Sequence, residues 1–276
     1  MDAMDLKEFH QRRRRLMRTM KRNSIAIITA APISIRNRDV EFPYRQDSDF
    51  HYLTGFPEPS AIAVLAPSRK KAPYLLFVRP FDPEKALWTG PQAGLEGAME
   101  QYGADVAYPQ ERFFEELPEL LKTSDRVYFA FGQSTVLDER ILKEIQKLRG
   151  ESRTGAHPPA HLSDLAPLIH ELRLIKSEDE IDRMRKAACA SAEGHCHAMK
   201  MTRPGLLESD IEAEIHHAFA RRQLRYLAYP SIVAGGANAC TLHYTENHER
   251  LKDGDLLLID AGGEYDNYAA DITRTF

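Results

Sequence analysis

Two patterns of apolar residues recur along the first 150 residues of the chain. Apolar positions at helical spacing predict helices, and short continuous apolar runs predict buried strands. The mixed order of the two is typical of an α/β domain of about 150 to 170 residues. The predicted helices cover residues 5–22, 94–102, 111–122 and 137–148, and the predicted strands cover residues 24–31, 61–66, 74–78 and 126–131.

The pattern changes after residues 150–159, a stretch rich in glycine and proline that predicts a loop or domain boundary. Ser177 stands three residues before Glu180, and this spacing predicts a capping box at the start of a helix. The predicted elements that follow are this helix to about Lys200, a break at residues 202–205, a helix over residues 208–222 and a short strand at residues 231–234.

The closing segment, LLLIDAGGEYDNYAADITRTF, predicts a hairpin that carries two carboxylates. Residues 256–259 form a continuous apolar run typical of a buried strand, and Asp260 ends it. We expect residues 261–263 to form the turn and residues 265–276 to return as a second strand. Asp260 and Asp271 would then lie on adjacent strands.

Two ionised carboxylates packed together repel each other, so they need a cation or a shared proton. Oxygen ligands suit a hard divalent ion such as manganese, magnesium or calcium, and zinc is also compatible. The alternative is that both aspartates cap turns beside Gly and Asn. His243, just before the hairpin, is either a hydrogen-bond donor or proton shuttle for a substrate, or an ordinary loop histidine.

Composition narrows the class of protein. Lys plus Arg total 37 and Asp plus Glu total 41, so the net charge of −4 favours neither nucleic acid nor an anionic membrane as a partner. The three cysteines have no C-x-x-C spacing, and no signal peptide or membrane span is visible, so we expect a cytoplasmic protein without disulfides. Residues 12–15, four consecutive arginines, predict a solvated helix face, with a subunit or polyanion contact as the alternative.

The remaining histidines are expected to be structural. His195 and His197 flank Cys196 within one predicted helix, and this spacing points their side chains in different directions. His216 and His217 are adjacent on the next helix and cannot share one ligand face.

Two separated segments resemble the Xaa-Pro aminopeptidases (aminopeptidase P), members of the creatinase/prolidase/methionine aminopeptidase group with the pita-bread fold. These are PYRQDSDFHYLTGFPEPSAIAVLAP at residues 43–67 and LHYTENHERLKDGDLLLIDAGGEYDNYAADITRTF at residues 242–276. The resemblance implies a ribonuclease-H-like α/β N-terminal domain over residues 1–172. It also implies the first half of an α+β pita-bread catalytic domain over residues 173–276.

The resemblance assigns roles to particular residues. It implies that Asp260 binds one metal through both oxygens, that Asp271 bridges two metals, and that His243 contacts the substrate without binding metal. Tyr229 would line the substrate site, and Trp88 would contribute to a neighbouring subunit of a homo-oligomer. The implied cofactors are two divalent ions, usually manganese, and the implied substrates are peptides with proline at the second position. A metal-bridging hydroxide would attack the bond before proline, with a glutamate as general base.

The sequence departs from this family at the metal site. Family members bind their metals through two Asp, one His and two Glu, and no residue before Phe276 matches the His and Glu motifs. We therefore expect a truncated copy that binds metal weakly and is inactive alone. The alternatives are a prolidase, which cleaves Xaa-Pro dipeptides, and a non-catalytic pita-bread module for binding or oligomerisation.

Overall fold

The computed structural model describes residues 6–151 and 157–276, and its contacts divide the chain into two units between Ile175 and Lys176. The domain boundary expected at residues 172 and 173 lies close to this division and stays a prediction. The expected helix start at residue 5 and part of the expected loop at residues 150–159 lie outside the described residues.

The helices are α1 (Leu6–Thr19), α2 (Ser48–Thr54), α3 (Pro83–Thr89), α4 (Gly94–Glu100), α5 (Phe113–Lys122), α6 (Thr135–Gly150), α7 (Ala166–Leu174), α8 (Glu178–Met201) and α9 (Glu208–Arg221). The strands of the first unit are β1 (Ser24–Thr29), β2 (Ile35–Asn37), β3 (Val40–Glu41), β4 (Ile62–Leu65), β5 (Tyr74–Val78), β6 (Val106–Pro109), β7 (Arg126–Phe129) and β8 (His161–Asp164). The strands of the second unit are β9 (Tyr226–Leu227), β10 (Ile232–Gly235), β11 (Leu257–Asp260), β12 (Gly263–Tyr265), β13 (Tyr268–Ala269) and β14 (Thr273–Thr275). None of the described helices combines the length and the apolar character that a membrane crossing requires.

The first unit is built on a six-stranded mixed sheet in the order β6-β5-β4-β1-β7-β8. Strand β4 is antiparallel to both of its neighbours, and the other pairs of the sheet are parallel. Along β1, Ala26 and Ile28 enter one apolar cluster and Ile25 and Ile27 enter the other. Because side chains of a strand alternate between faces, the sheet separates two cores. The predicted α/β class is confirmed.

The prediction of a solvated face for the arginine run is wrong for two of its four residues, whereas Arg14 and Arg15 are exposed as expected. Arg12 and Arg13 are only 1% and 2% exposed, so they do not lie on a solvated face. Arg12 Nη1 donates to the carbonyl oxygen of Tyr52 at 3.2 Å, and Arg13 Nη1 donates to that of Leu53 at 2.9 Å. These carbonyls belong to the last turn of α2, where helices leave acceptors unpaired and favour positive charge. The two arginines therefore fix α1 against the end of α2.

In the second unit, α8 and α9 share one apolar cluster with residues of β10 to β12. The predicted capping box at the start of α8 is confirmed: the Ser177 amide donates to Glu180 Oε2 at 2.9 Å, and the Glu180 amide donates to Ser177 Oγ. Two three-stranded sheets follow, in the orders β10-β11-β14 and β13-β12-β9.

The predicted turn of the closing hairpin is wrong. Residues 261–263 do not reverse the chain, because Gly263 already begins β12. The reversal occurs at Asp266 and Asn267, whose φ angles are 48° and 67°. Asp and Asn tolerate this left-handed backbone, which two-residue hairpin turns require. The hairpin is therefore longer than predicted and passes through both sheets.

Candidate metal centre

The two aspartates of the hairpin converge on one hydroxyl group. Tyr229 Oη lies 2.5 Å from Asp260 Oδ1 and 3.0 Å from Asp271 Oδ1. A phenol carries a single proton, so the two carboxylates share one donor. Two negative charges held this close repel unless a cation or further protons come between them.

Asp260 is positioned by the central strand of its sheet. It ends β11, where it pairs with Ile232 of β10 on one side and with Thr273 of β14 on the other. Leu257 and Ile259 are buried, and the two-residue period puts Asp260 on the opposite, half-buried face. Pairing on both sides fixes the backbone that carries this carboxylate.

Asp271 is positioned by a close approach of the two hairpin strands. The pairs of β11 with β14 and of β12 with β13 share one register, in which Asp271 falls opposite Gly262. A Cβ atom on Gly262 would lie 1.9 Å from the carbonyl oxygen of Ala270. Only glycine permits this approach, which brings Asp271 beside Asp260 although Asp271 itself lies between β13 and β14. The prediction of adjacent strands therefore holds for the hairpin, with Asp271 in its irregular part.

Helix α8 holds the hairpin backbone on both sides of Gly262. Ser191 Oγ accepts a hydrogen bond from the Gly263 amide at 3.0 Å, and His195 Nε2 lies 2.9 Å from the carbonyl oxygen of Ala261. The two side chains are one helical turn apart on the same face of α8. His195 is buried and bonds to backbone, so the expectation of a structural histidine is confirmed.

Tyr229 reaches the carboxylates from a bulge. Leu227 of β9 pairs with Gly263, and Ile232 of β10 pairs with Asp260, so residues 228–231 face only residues 261–262. The two extra residues push Tyr229 out of the ladder, and such bulges commonly re-aim a side chain next to an active site. Burial, followed by the hydrogen bonds to both aspartates, raises the pKa of Tyr229 above its usual value. The phenol therefore remains a protonated donor.

These residues border a cavity of about 420 Å³. The volume is within the usual range of small-ligand sites. His243 is exposed to solvent on the loop before the hairpin and contributes one wall. The cavity thus brings together all four residues selected from the second unit by sequence; its lining is Tyr229, Pro230, Ile232, His243, Thr245, Asp260 and Asp271. Trp88 belongs to the first unit, where it is 89% exposed.

The donor set of the carboxylate pair fits a hard divalent cation, which prefers oxygen ligands. The shell is partial, because residues 6–151 and 157–276 contain no group of three or more His, Cys, Asp or Glu side chains arranged to hold a metal ion. Divalent ions need further ligands for tight binding. The carboxylate pair alone therefore falls short of the ligand number that tight metal binding requires.

Two buried polar residues behind the His243 loop were not predicted from the sequence. Glu208 is 0% exposed and Asn247 is 1% exposed. An acidic residue at the start of a helix is common, because it complements the helix dipole, and Asn is common in turns. Only their burial, which the sequence does not reveal, marks them as unusual.

Comparison with known families matches both units. The family described as "Aminopeptidase P, N-terminal domain" matches residues 9–128, and "Metallopeptidase family M24" matches residues 182–276. The chain is 44% identical to the Xaa-Pro aminopeptidase of Escherichia coli (strain K12) over 277 aligned positions, which cover 100% of this chain and 63% of the relative.

Solved structures agree. The Pseudomonas aeruginosa aminopeptidase PepP superposes with a TM-score of 0.96 at 51% identity, covering 100% of this chain and 62% of that one. A zinc-substituted Escherichia coli aminopeptidase P in complex with product superposes with a TM-score of 0.95 at 43% identity, covering 100% of this chain and 63% of that one.

The family matches of both units, together with the paired carboxylates beside the cavity, place the chain among the metallopeptidases. Within that class, the chain belongs to the aminopeptidase P group of metallopeptidase family M24, and its second unit forms part of a pita-bread domain. The chain spans 63% of the length of the Escherichia coli relative.

Proposed function

We propose that the chain serves an Xaa-Pro aminopeptidase activity, the release of the N-terminal residue before proline, and contributes Asp260 and Asp271 to a centre of two divalent ions. The observation that carries this proposal is the convergence of both carboxylates on the Tyr229 hydroxyl beside the cavity. The identity to relatives named Xaa-Pro aminopeptidases supports it and favours an aminopeptidase over a dipeptidase.

We propose manganese as the metal, with Asp260 binding one ion through both oxygens and Asp271 bridging two. The zinc-substituted relative supports the use of a divalent ion. Bound divalent ions supply Lewis-acid chemistry, which lowers the pKa of a coordinated water and polarises the scissile carbonyl.

The residues of this chain have complementary tasks in the proposal. Tyr229 donates its proton to the carboxylates and so fixes the orientation of two ligands; lining the substrate site remains its second proposed role. His243, on the wall of the cavity, donates a hydrogen bond to the substrate carbonyl or to the tetrahedral oxyanion. The cavity itself accepts the N-terminal residue and the proline of a peptide.

The first test compares metal binding of the chain with that of two variants. We expect weak manganese binding by calorimetry, because two carboxylates make an incomplete shell, and we expect Asp260→Asn or Asp271→Asn to abolish it. His243→Ala is the matched control and should bind manganese as the unmodified chain does. Binding that survives both aspartate substitutions would place the metal elsewhere.

The second test concerns catalysis. A protein that carries this chain together with a complete set of metal ligands should cleave Ala-Pro peptides in a manganese-dependent reaction and leave Ala-Ala peptides intact. The 276-residue chain alone should give no cleavage above background, because two carboxylates make an incomplete metal shell. Equal cleavage of the two peptides would refute the proposed specificity.

The proposed function also includes association between copies of the chain. Leu87 and Trp88 are 86% and 89% exposed on α3, and exposed apolar groups of this size mark interaction surfaces. We propose that α3 contacts a second copy of the chain.

A further inference from the structure

We propose that Glu208 is a positioning residue, which holds the loop of residues 235–249 so that His243 faces the carboxylate cavity. The inference deepens the proposed function and rests on it for the role of His243. Its structural part, the dependence of the loop on one buried carboxylate, can be tested without any activity.

The Glu208 carboxylate gathers four donors from the loop and its two ends. Oε1 accepts from the Gly235 amide at 2.7 Å and from Asn238 Nδ2 at 3.0 Å. Oε2 accepts from the Tyr244 hydroxyl at 2.7 Å and from the Glu249 amide at 3.0 Å. Each oxygen thus binds the loop at two separated points, and one side chain connects its beginning, middle and end.

The bond to Tyr244 determines which way its neighbours face. Tyr244 turns inward to Glu208, whereas His243 and Thr245 line the cavity. With Tyr244 held inward, the residues immediately before and after it are the ones that line the cavity. Burial, followed by the bond to Glu208, raises the pKa of Tyr244 to about 12, and the hydroxyl stays a donor.

A second anchor fixes the same loop to the strand next to the carboxylates. Asn247 Oδ1 accepts from the Val233 amide and Asn247 Nδ2 donates to the Ser231 carbonyl, both at 2.9 Å. These are the two bonds that a neighbouring strand would make with β10. Since Ile232 between them pairs with Asp260, the loop and the carboxylate share one support.

The charge of Glu208 is essential to this arrangement. An ionised carboxylate is an acceptor at both oxygens, so it satisfies four donors. Burial alone would raise the pKa of Glu208, but the hydrogen bonds from Gly235, Asn238, Tyr244 and Glu249 outweigh it and lower the pKa. In Glu208→Gln one acceptor oxygen becomes an NH₂ group, which is itself a donor and cannot bond to the two donors that face it. The substitution keeps the size of the side chain but removes its charge and two of its four hydrogen bonds.

Amide hydrogen exchange of the chain tests the structural part. In Glu208→Gln we expect faster exchange, by roughly tenfold or more, at Thr241 and at whichever of the Gly235 and Glu249 amides faces the new NH₂ group, the loss expected for a hydrogen bond to a charged group. Thr241 is decisive, because its amide bonds to Asn238 and not to Glu208. Tyr244→Phe, which leaves the carboxylate in place, should speed Thr241 as well. Glu214→Gln changes a half-buried carboxylate of the same helix that contacts His197 and not the loop; it is the control and should leave all three unchanged.

Manganese as a relaxation probe tests the positioning of His243. In the unmodified chain, Mn²⁺ at the carboxylates should broaden the ring signals of both Tyr229 and His243. In Glu208→Gln and Tyr244→Phe, Tyr229 should still broaden while His243 broadens several-fold less, since only the loop has moved. Unchanged broadening of His243 with unchanged Thr241 exchange would overturn the inference. If neither ring broadens in the unmodified chain, the proposed metal centre fails, and the exchange data alone decide the role of Glu208.

Discussion

At the scale of single residues, the Tyr229 hydroxyl is a donor that Asp260 and Asp271 share. Removing it in Tyr229→Phe leaves the two charges without a donor. Because Asp271 is exposed, water screens much of the repulsion, and we expect a loss of about 1 kcal/mol in the free energy of unfolding. Manganese should restore most of this loss, because the ion neutralises the same charges. Denaturant titrations with and without Mn²⁺ measure both effects.

Tyr268→Phe is the matched control for this experiment. Its hydroxyl donates to Glu180 at 3.0 Å, so the substitution also removes a bond from a phenol to a carboxylate in the same unit. The loss in Tyr268→Phe should be the same with and without manganese. Equal rescue of both variants would mean that manganese stabilises the unit by another route.

A pH dependence follows from the lowered pKa of Glu208. In the unfolded chain this glutamate titrates near its usual value of about 4.3. Because the folded pKa is lower, the ionised group contributes stability that is complete above about pH 4.3 and is lost as the pH falls through the folded pKa. The difference in unfolding free energy between the unmodified chain and Glu208→Gln should therefore shrink below that pH. A constant difference across the acid range would show that the charge is not the stabilising feature.

At the scale of elements, the closing hairpin shows what sequence periodicity predicts and what it misses. The apolar run and the two-residue period correctly placed Asp260 and Asp271 on one hairpin. The turn was misplaced, because Gly262 and Gly263 are typical turn residues and serve here for close packing. The glycines are needed because residues from distant parts of the chain pack against them, as Leu224 does against Gly263. A local sequence pattern does not show such contacts.

The same distinction holds in the first unit. The strand predicted at residues 74–78 is confirmed, because all five residues are buried and apolar or aromatic. Strands β6 and β8 were missed. The first reads VAYP, is only half-buried and ends in Pro109, and the second reads HLSD, so neither has the longer apolar run of a buried strand. Glu208 and Asn247 were not predicted for a related reason: the fold brings their hydrogen-bond partners to them from other parts of the sequence.

Gly262→Ala tests the close approach in the hairpin. The added methyl group would overlap the Ala270 carbonyl, so the strands must separate where they carry the carboxylates. We expect a loss of about 1–3 kcal/mol in unfolding free energy, the usual cost of overpacking, and weaker manganese binding. Gly150→Ala is the control, since nothing lies within 4 Å of its added Cβ. A stable variant that binds manganese normally would contradict this account of how Asp271 is positioned.

At the scale of the whole molecule, the exposure of the apolar residues of α3 is not explained by packing within the first unit. None of the residues in Pro83–Thr89 is buried, and the helix nevertheless presents Leu87 and Trp88. A seven-residue helix has little stability without packing, and its capping by Asp82 stabilises it only in part. A second copy of the chain that covers this helix would supply the missing contact.

Trp88→Ala should therefore weaken self-association of the protein. Loss of a large aromatic anchor from an interface commonly costs about 2 kcal/mol or more, which is at least a tenfold weaker dimer at 25 °C. Light scattering during size-exclusion chromatography over a range of concentrations measures the shift toward monomer. Val136→Ala, at a residue 64% exposed on α6, is the control because it removes exposed apolar surface away from α3. Tryptophan fluorescence provides a second readout of the same contact, because Trp88 is the single tryptophan. The emission of the unmodified protein should shift to longer wavelength on dilution. Emission that stays constant while the oligomer dissociates would show that the copies associate through another surface.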